Sequence, residues 1–270
     1  MTMDPILSSA ILFLTGMVAG TVSGAFGVGG GSLMTPVQYW LSLAGGLDGS
    51  LATRLAFGTS LAVIIPTMIS GALAHHRRGA VDWQAAVPMG VAAVFGGFAG
   101  GLAAARLPGS LLRIGFAAFL LVIAVRMVLD IRECTTCESR GSVPRFLSIG
   151  FVIGVVSGLT GLGGGALLVP VLVILLGYPI HRAVGTSSAT LIFSSAGAVT
   201  GYIVAGWGMA GLPPWSAGYV NLPTAAILAV TTIPCARLGV RFAHSRSGRN
   251  LQVLFAGLLV VVGVSMLLGG

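Results

Sequence analysis

Gly24-Ala25-Phe26-Gly27-Val28-Gly29-Gly30-Gly31 has a second copy in the other half of the chain, Gly158-Leu159-Thr160-Gly161-Leu162-Gly163-Gly164-Gly165. Both copies follow a Val-Ser pair, precede a proline (Pro36, Pro170) and lie inside a long apolar run. Glycine in a helix interior costs about 1 kcal/mol against alanine. Gly29-Gly30-Gly31 and Gly163-Gly164-Gly165 are therefore expected to interrupt a helix. In a lipid-embedded chain the freed backbone groups must face protein or a water-filled cavity. Paired interruptions in two halves of such a chain point to a transporter's binding site.

The embedding follows from composition. Of 270 residues 56% are apolar and only 7% charged, against roughly 25% charged in a soluble domain. Mean hydropathy is +1.01. The chain reads as an all-α integral membrane protein. Lysine is absent, so all 14 basic residues are arginine and the net charge is +8. Because the arginines sit between apolar runs, the balance reads as membrane orientation and argues against a nucleic-acid partner. The partners expected are membrane lipid and a small anionic substrate. Asp4 and the lack of a basic stretch before Ile6 argue against a cleaved signal peptide.

Ten apolar segments stand out, roughly 6–23, 32–45, 55–74, 84–105, 110–130, 145–157, 166–177, 184–206, 216–238 and 250–268. Two are about a dozen residues long, short of the roughly 20 a straight span needs. These flank the glycine runs and read as half-helices or as tilted, incomplete spans, so that each repeat starts with glycine-broken helices or hairpins. Other pairs recur in the same order: Arg54-Leu-Ala-Phe-Gly-Thr-Ser60 with His181-Arg-Ala-Val-Gly-Thr-Ser187, and Ala105-Arg-Leu107 with Ala236-Arg-Leu238. Order preserved over this length indicates duplication. The first membrane repeat is 1–130, the linker 131–144 and the second repeat 145–270, each repeat holding about five segments.

Arginine placement selects a topology. With an odd number of crossings per half, Arg77, Arg78, Arg126, Arg132, Arg140, Arg145, Arg182, Arg237, Arg241, Arg246 and Arg249 collect on one side, and Arg54, Arg106 and Arg113 on the other. This bias fits the positive-inside rule. It predicts inverted-topology repeats, both termini outside and a cytoplasmic linker.

On the paired Val-Ser-Gly-x-x-Gly-x-Gly-Gly-Gly runs, the paired Gly-Thr-Ser segments and the near-complete duplication, the chain resembles the sulfite exporter TauE/SafE family of membrane permeases. The resemblance implies export of small sulfur-containing anions, of the sulfite or sulfoacetate class, across the bacterial plasma membrane. An anion channel or an importer of the same architecture is the alternative.

Candidate binding residues follow from the physics of anions. Successive N–H groups at helix N-termini attract negative charge, which nominates Gly27, Gly29, Gly30, Gly31, Gly161, Gly163, Gly164 and Gly165. The competing role is close helix packing; a run of three glycines exceeds what packing requires. Thr59, Ser60, Thr186, Ser187 and Ser188 offer hydroxyl donors near the start of segments three and eight, unless spent on the preceding helical turn. Gln38 is an amide within a short segment. Arg54 and Arg182 precede the Gly-Thr-Ser pairs and would draw anions into a vestibule, or else snorkel. Cys134-Thr-Thr-Cys137 is at best half a zinc site, so neither metal nor cofactor is expected. With no paired carboxylates, histidine cluster or activated nucleophile at recognisable spacing, the chain does not read as an enzyme. No Asp or Glu falls mid-segment. The expected mechanism is alternating access driven by the membrane potential rather than by a carboxylate proton relay.

Overall fold

The computed structural model describes residues 5–129 and 141–245 and seven positions between 256 and 267. Cys134, Cys137, the interior of the linker and most of the tenth segment lie outside the described residues. The first half consists of α1 (Pro5–Phe26), α2 (Gly31–Ala44), α3 (Gly49–His76), α4 (Trp83–Arg106) and α5 (Gly109–Leu129). The second has α6 (Val143–Thr160), α7 (Gly165–Pro170) running into a π-helical turn (Val171–Leu175), α8 (Ile180–Gly206) and α9 (Leu222–Ala243). A small antiparallel ribbon, β1 (Ser216–Ala217) with β2 (Val220–Asn221), leads into α9. Among the described residues, α1, α3, α4, α6, α8 and α9 are long and apolar enough to cross a membrane.

Small residues decide the packing. Gly16, Gly20 and Gly24 form one stripe of α1, and a Cβ on any of them would strike Thr231, Thr232 or Ala236 of α9. Gly150, Gly154 and Gly158 do the same on α6 against Met89, Ala93 and the Gly97–Gly101 stretch of α4. Spacing of four keeps each stripe on one face, and missing side chains let the backbones touch. In both pairs the contacts ascend together along the chain, so α1 runs parallel to α9 and α4 parallel to α6. The first helix of each half thus packs on the fourth helix of the other.

Helices α3 and α8 are the most enclosed. They run antiparallel: Gly58 near the start of α3 lies beside Tyr202 near the end of α8, and Gly185 beside His75. The outer helices turn large apolar side chains outward, such as Leu14 on α1, Phe95 on α4 and Val230 on α9. One end of the molecule carries Arg77, Arg78, Arg145, Arg182, Arg237 and Arg241; the other carries Arg54 and Arg106.

Several boundaries differ from expectation. Segment three begins at Gly49, not 55, because the Asp48 carboxylate accepts the Ser50 and Leu51 N–H groups and caps a polar first turn. The first Gly-Thr-Ser therefore begins only at the tenth residue of α3, while the second begins at the sixth residue of α8 and stays near its start. Segment nine, expected over 216–238, opens as the ribbon; the helix starts after Asn221, whose side chain accepts the Thr224 N–H. The seventh segment is not one regular helix. Pro170 has no N–H to continue the ladder, and the turn widens to π-helix beyond it.

Candidate functional site

Both glycine runs break the helix as expected, by a shared conformation. Gly27, Gly29 and Gly30 have φ of 65°, 91° and 72°; Gly161, Gly163 and Gly164 have 69°, 77° and 83°. This left-handed region costs other L-residues roughly 1–2 kcal/mol each. Gly161 ends α6, while Gly30 and Gly164 precede α2 and α7 without a side-chain cap. Gly31 and Gly165 are already the first helical residues.

The two breaks meet. A Cβ on Gly31 would lie 2.9 Å from the Gly161 carbonyl oxygen, and one on Gly165 would lie 2.5 Å from that of Gly27. Ile64, at the middle of α3, packs on Gly29, Gly31 and Gly163; Leu191, at the middle of α8, packs on Gly165. All eight candidate glycines are buried.

The hydroxyls divide into three groups. Ser187 donates to the Gly27 carbonyl at 2.9 Å and Ser194 to that of Gly163 at 2.8 Å, tying α8 to both breaks. Ser188 bonds back to Val184 in its own helix. Thr59 and Thr186 instead brace the fold: Thr59 accepts the Asn221 N–H at 2.9 Å, and Thr186 accepts the Asp82 N–H at 3.0 Å. Asn221 and Asp82 are the N-caps of α9 and α4. Each Gly-Thr-Ser pair therefore holds the start of the opposite half's fourth helix. The third group has no partner. Ser32, Ser157 and Ser195 keep buried oxygens without a hydrogen bond. Ser32 adjoins Gly31, Ser157 packs on Gly164, and Ser195 lies 3.1 Å from a Cβ on Gly163.

Ser60 accepts from Thr35 at 3.0 Å and from the Gln38 amide at 2.8 Å. Gln38, Thr59 and Asn221 line a cavity of about 230 Å³ that also includes Ser8, Leu12 and Ser42. At the corresponding place on the arginine-rich end, Asp82 is buried and its carboxylate takes the Tyr178 hydroxyl at 2.9 Å and Arg182 at 3.1 Å. Arg182 is thus paired across α4 and α8. Arg54, at the other end, donates to the Leu107 carbonyl at 3.0 Å and lies over the Tyr219 ring.

Sequence reading missed one pair of bonds altogether. His75 and Tyr202 each stand seventeen residues past the glycine of a Gly-Thr-Ser pair. His75 Nε2 donates to the Gly24 carbonyl at 3.0 Å and the Tyr202 hydroxyl to the Gly158 carbonyl at 3.0 Å. Two unlike side chains do the same work at equivalent places. His75, His181 and His244 lie in a row of ring contacts and do not converge on a point.

Residues 12–266 match the family described as sulfite exporter TauE/SafE. The chain belongs to that family. This TauE/SafE member is 31% identical over 259 residues to a probable membrane transporter protein of Haemophilus influenzae, covering 96% of this chain and 97% of the relative. It is 28% identical to a probable membrane transporter protein of Methanocaldococcus jannaschii, over 96% and 95% of the two chains. A third such protein, from Bacillus subtilis, is 25% identical over 98% and 99%. None of these names specifies a substrate. No solved structure matches the chain. Together with the six spanning-length helices, these likenesses make the chain a multi-pass membrane protein of a transporter family.

Proposed function

We propose that the chain exports a small sulfur-containing oxyanion by alternating access, with the substrate held between the two glycine breaks. One observation carries this reading. Two helices begin uncapped and buried at the meeting of the breaks, beside the unpartnered hydroxyls of Ser32, Ser157 and Ser195. Uncapped first-turn N–H groups and hydroxyls are donors, and leaving a buried one unsatisfied costs about 1–3 kcal/mol. An oxyanion supplies the missing acceptors, and the positive helix ends favour its charge.

The antiparallel α3 and α8, and the reciprocal α1–α9 and α4–α6 contacts, support an inverted relation between the halves. Such a relation gives one site two alternative openings. The cavity reaching Gln38 and Thr59 is the opening at the arginine-poor end, taken as outside. The Asp82–Arg182–Tyr178 contact closes the other end.

Ser195→Ala tests the site. Removing an unpartnered hydroxyl leaves thermal stability unchanged or slightly raised, whereas losing a hydrogen bond to a charged ligand costs about 1.5–3 kcal/mol. Sulfite affinity, measured on purified protein, is expected to fall at least ten-fold with melting temperature unchanged. Equal affinity in the variant would place the anion elsewhere. In proteoliposomes an imposed potential alone is expected to drive sulfite flux, at about 2.3 kcal/mol per charge per 100 mV. Strict dependence on a proton gradient would overturn the mechanism.

A further inference from the structure

A second cavity, of about 210 Å³, opens between the last turns of α3 and α9 at the arginine-rich end. Arg77 and Arg78 line it from just past the end of α3, Arg237 and Arg241 from α9, with Ser70 and Leu73 beside them. Among the described residues no carboxylate lines it. The Arg182–Asp82 ion pair involves none of these four, and none of them makes an ion pair among the described residues.

The arginines are partly pre-aimed. Arg237 Nε donates to Ser70 Oγ at 3.1 Å, and Ser70, itself buried, donates to the Ile233 carbonyl at 2.8 Å. Arg78 donates to the Val240 carbonyl at 2.9 Å. Each of these guanidinium groups spends one donor of five and keeps the rest. Four like charges around one cavity repel unless an anion sits among them.

The surroundings indicate what kind of anion. Ile69, Leu73 and Leu238, on the same stretches of α3 and α9, are exposed large apolar side chains. A cationic cavity rimmed by lipid-facing hydrocarbon suits an amphipathic anion. The equivalent positions repeat only one of the four charges: Arg106 answers Arg237, but Ser110 stands where Arg241 does and, counted from the Gly-Thr-Ser pairs, Val204 and Ala205 stand where Arg77 and Arg78 do. The cavity therefore lies outside the paired elements that form the glycine site. We propose that it binds the phosphate headgroup of an anionic membrane phospholipid, with the acyl chains along Leu73 and Leu238. Arginine suits this role because its planar fork grips phosphate oxygens two at a time, and basic pockets between spanning helices bind such headgroups.

The test uses full-length protein, delipidated in detergent and titrated with phosphatidylglycerol, cardiolipin or phosphatidylcholine, with bound lipid read by native mass spectrometry. Wild-type protein is expected to retain the two anionic lipids at least ten-fold better than phosphatidylcholine. Arg237→Gln/Arg241→Gln should lose that preference, while Arg145→Gln, which removes a charge at the same end outside the cavity, keeps it. Equal retention of all three lipids by wild type overturns the proposal whatever the variants do. So does full displacement of the anionic lipid by inorganic phosphate or sulfite at millimolar concentration, which would mark a soluble-anion site. Persistence of the preference in the double variant also overturns it.

Discussion

At Gly161 two costs coincide. Its φ of 69° is left-handed, and a Cβ there would lie 2.6 Å from the Phe57 ring. Gly46 separates them: its φ is 85°, yet nothing lies within 4 Å of the added carbon. Gly115, in α5, has neither constraint. Thermal unfolding in detergent is expected to rank the alanine variants accordingly. Gly115→Ala should stabilise by up to about 1 kcal/mol, Gly46→Ala should cost about 1–2 kcal/mol, and Gly161→Ala should cost that plus about 1–3 kcal/mol for the clash. A Gly161 variant no worse than the Gly46 variant would mean that α6 and α3 separate easily. At this scale the breaks were legible in the sequence because glycine runs have few other uses inside apolar segments. The bonds of Thr59, Thr186, His75 and Tyr202 were not, because each partner lies far away in sequence. For His75 and Tyr202, carrying the repeat alignment past Gly-Thr-Ser would have given the signal.

Among the elements, α4 and α9 show how one capping position has diverged. Asp82 and Asn221 both cap their helices and both give their N–H to a threonine of the other half. Only Asp82 adds a charge, shared with Arg182 and Tyr178; the Asn221 amide reaches the Pro214 carbonyl and Ser216. Asp82→Asn keeps the cap, since asparagine caps as well as aspartate, and removes the ion pair. Arg182 is half exposed, so the pair and the weakened tyrosine bond together contribute about 1–2 kcal/mol. The arginine-rich end should then open on the order of ten times more often. Val184→Cys, introduced after the native cysteines are replaced by serine, reports this through its labelling rate with a maleimide. An unchanged rate would show that Asp82 does not close that end. Among the described residues, the presence of the first nine segments and the two breaks were readable from hydropathy and glycine alone. The starts of α3 and α9 were not, because capped first turns are polar and look like loops. Nor did Pro36 and Pro170 differ in any visible way, although α2 continues as regular helix past its proline and α7 does not.

In the whole molecule, the ends of α3 and α9 and the start of α8 come together at three histidines. His244 follows α9; its Nε2 lies 3.4 Å from Nδ1 of His75 on α3, and its ring stacks on His181 of α8 at 4.8 Å. Through the His75 bond to the Gly24 carbonyl, this cluster is linked to the end of α1 just before the first glycine break. Burial holds the His244 pKa below its ordinary value of 6.5, and the nearby His181 and Arg78 add to the effect. A lowered pKa in a base means that the folded protein favours the neutral ring. The stability this contributes is complete above the unfolded value and is lost as pH falls from there through the folded value. Protonating His244 places its charge against His181, Arg78 and the ring of His75, on two of the helices it joins. Melting temperature in detergent is therefore expected to hold steady from about pH 8 to about pH 6.5 and to fall below that. His244→Gln keeps an N–H donor for His75 but cannot titrate, so it should flatten the fall. His76→Gln should not, because His76 is exposed and its ring contact is with Trp83, outside the cluster. An undiminished acid fall in His244→Gln would assign the sensitivity to another group and detach this cluster from the stability of the three-helix junction.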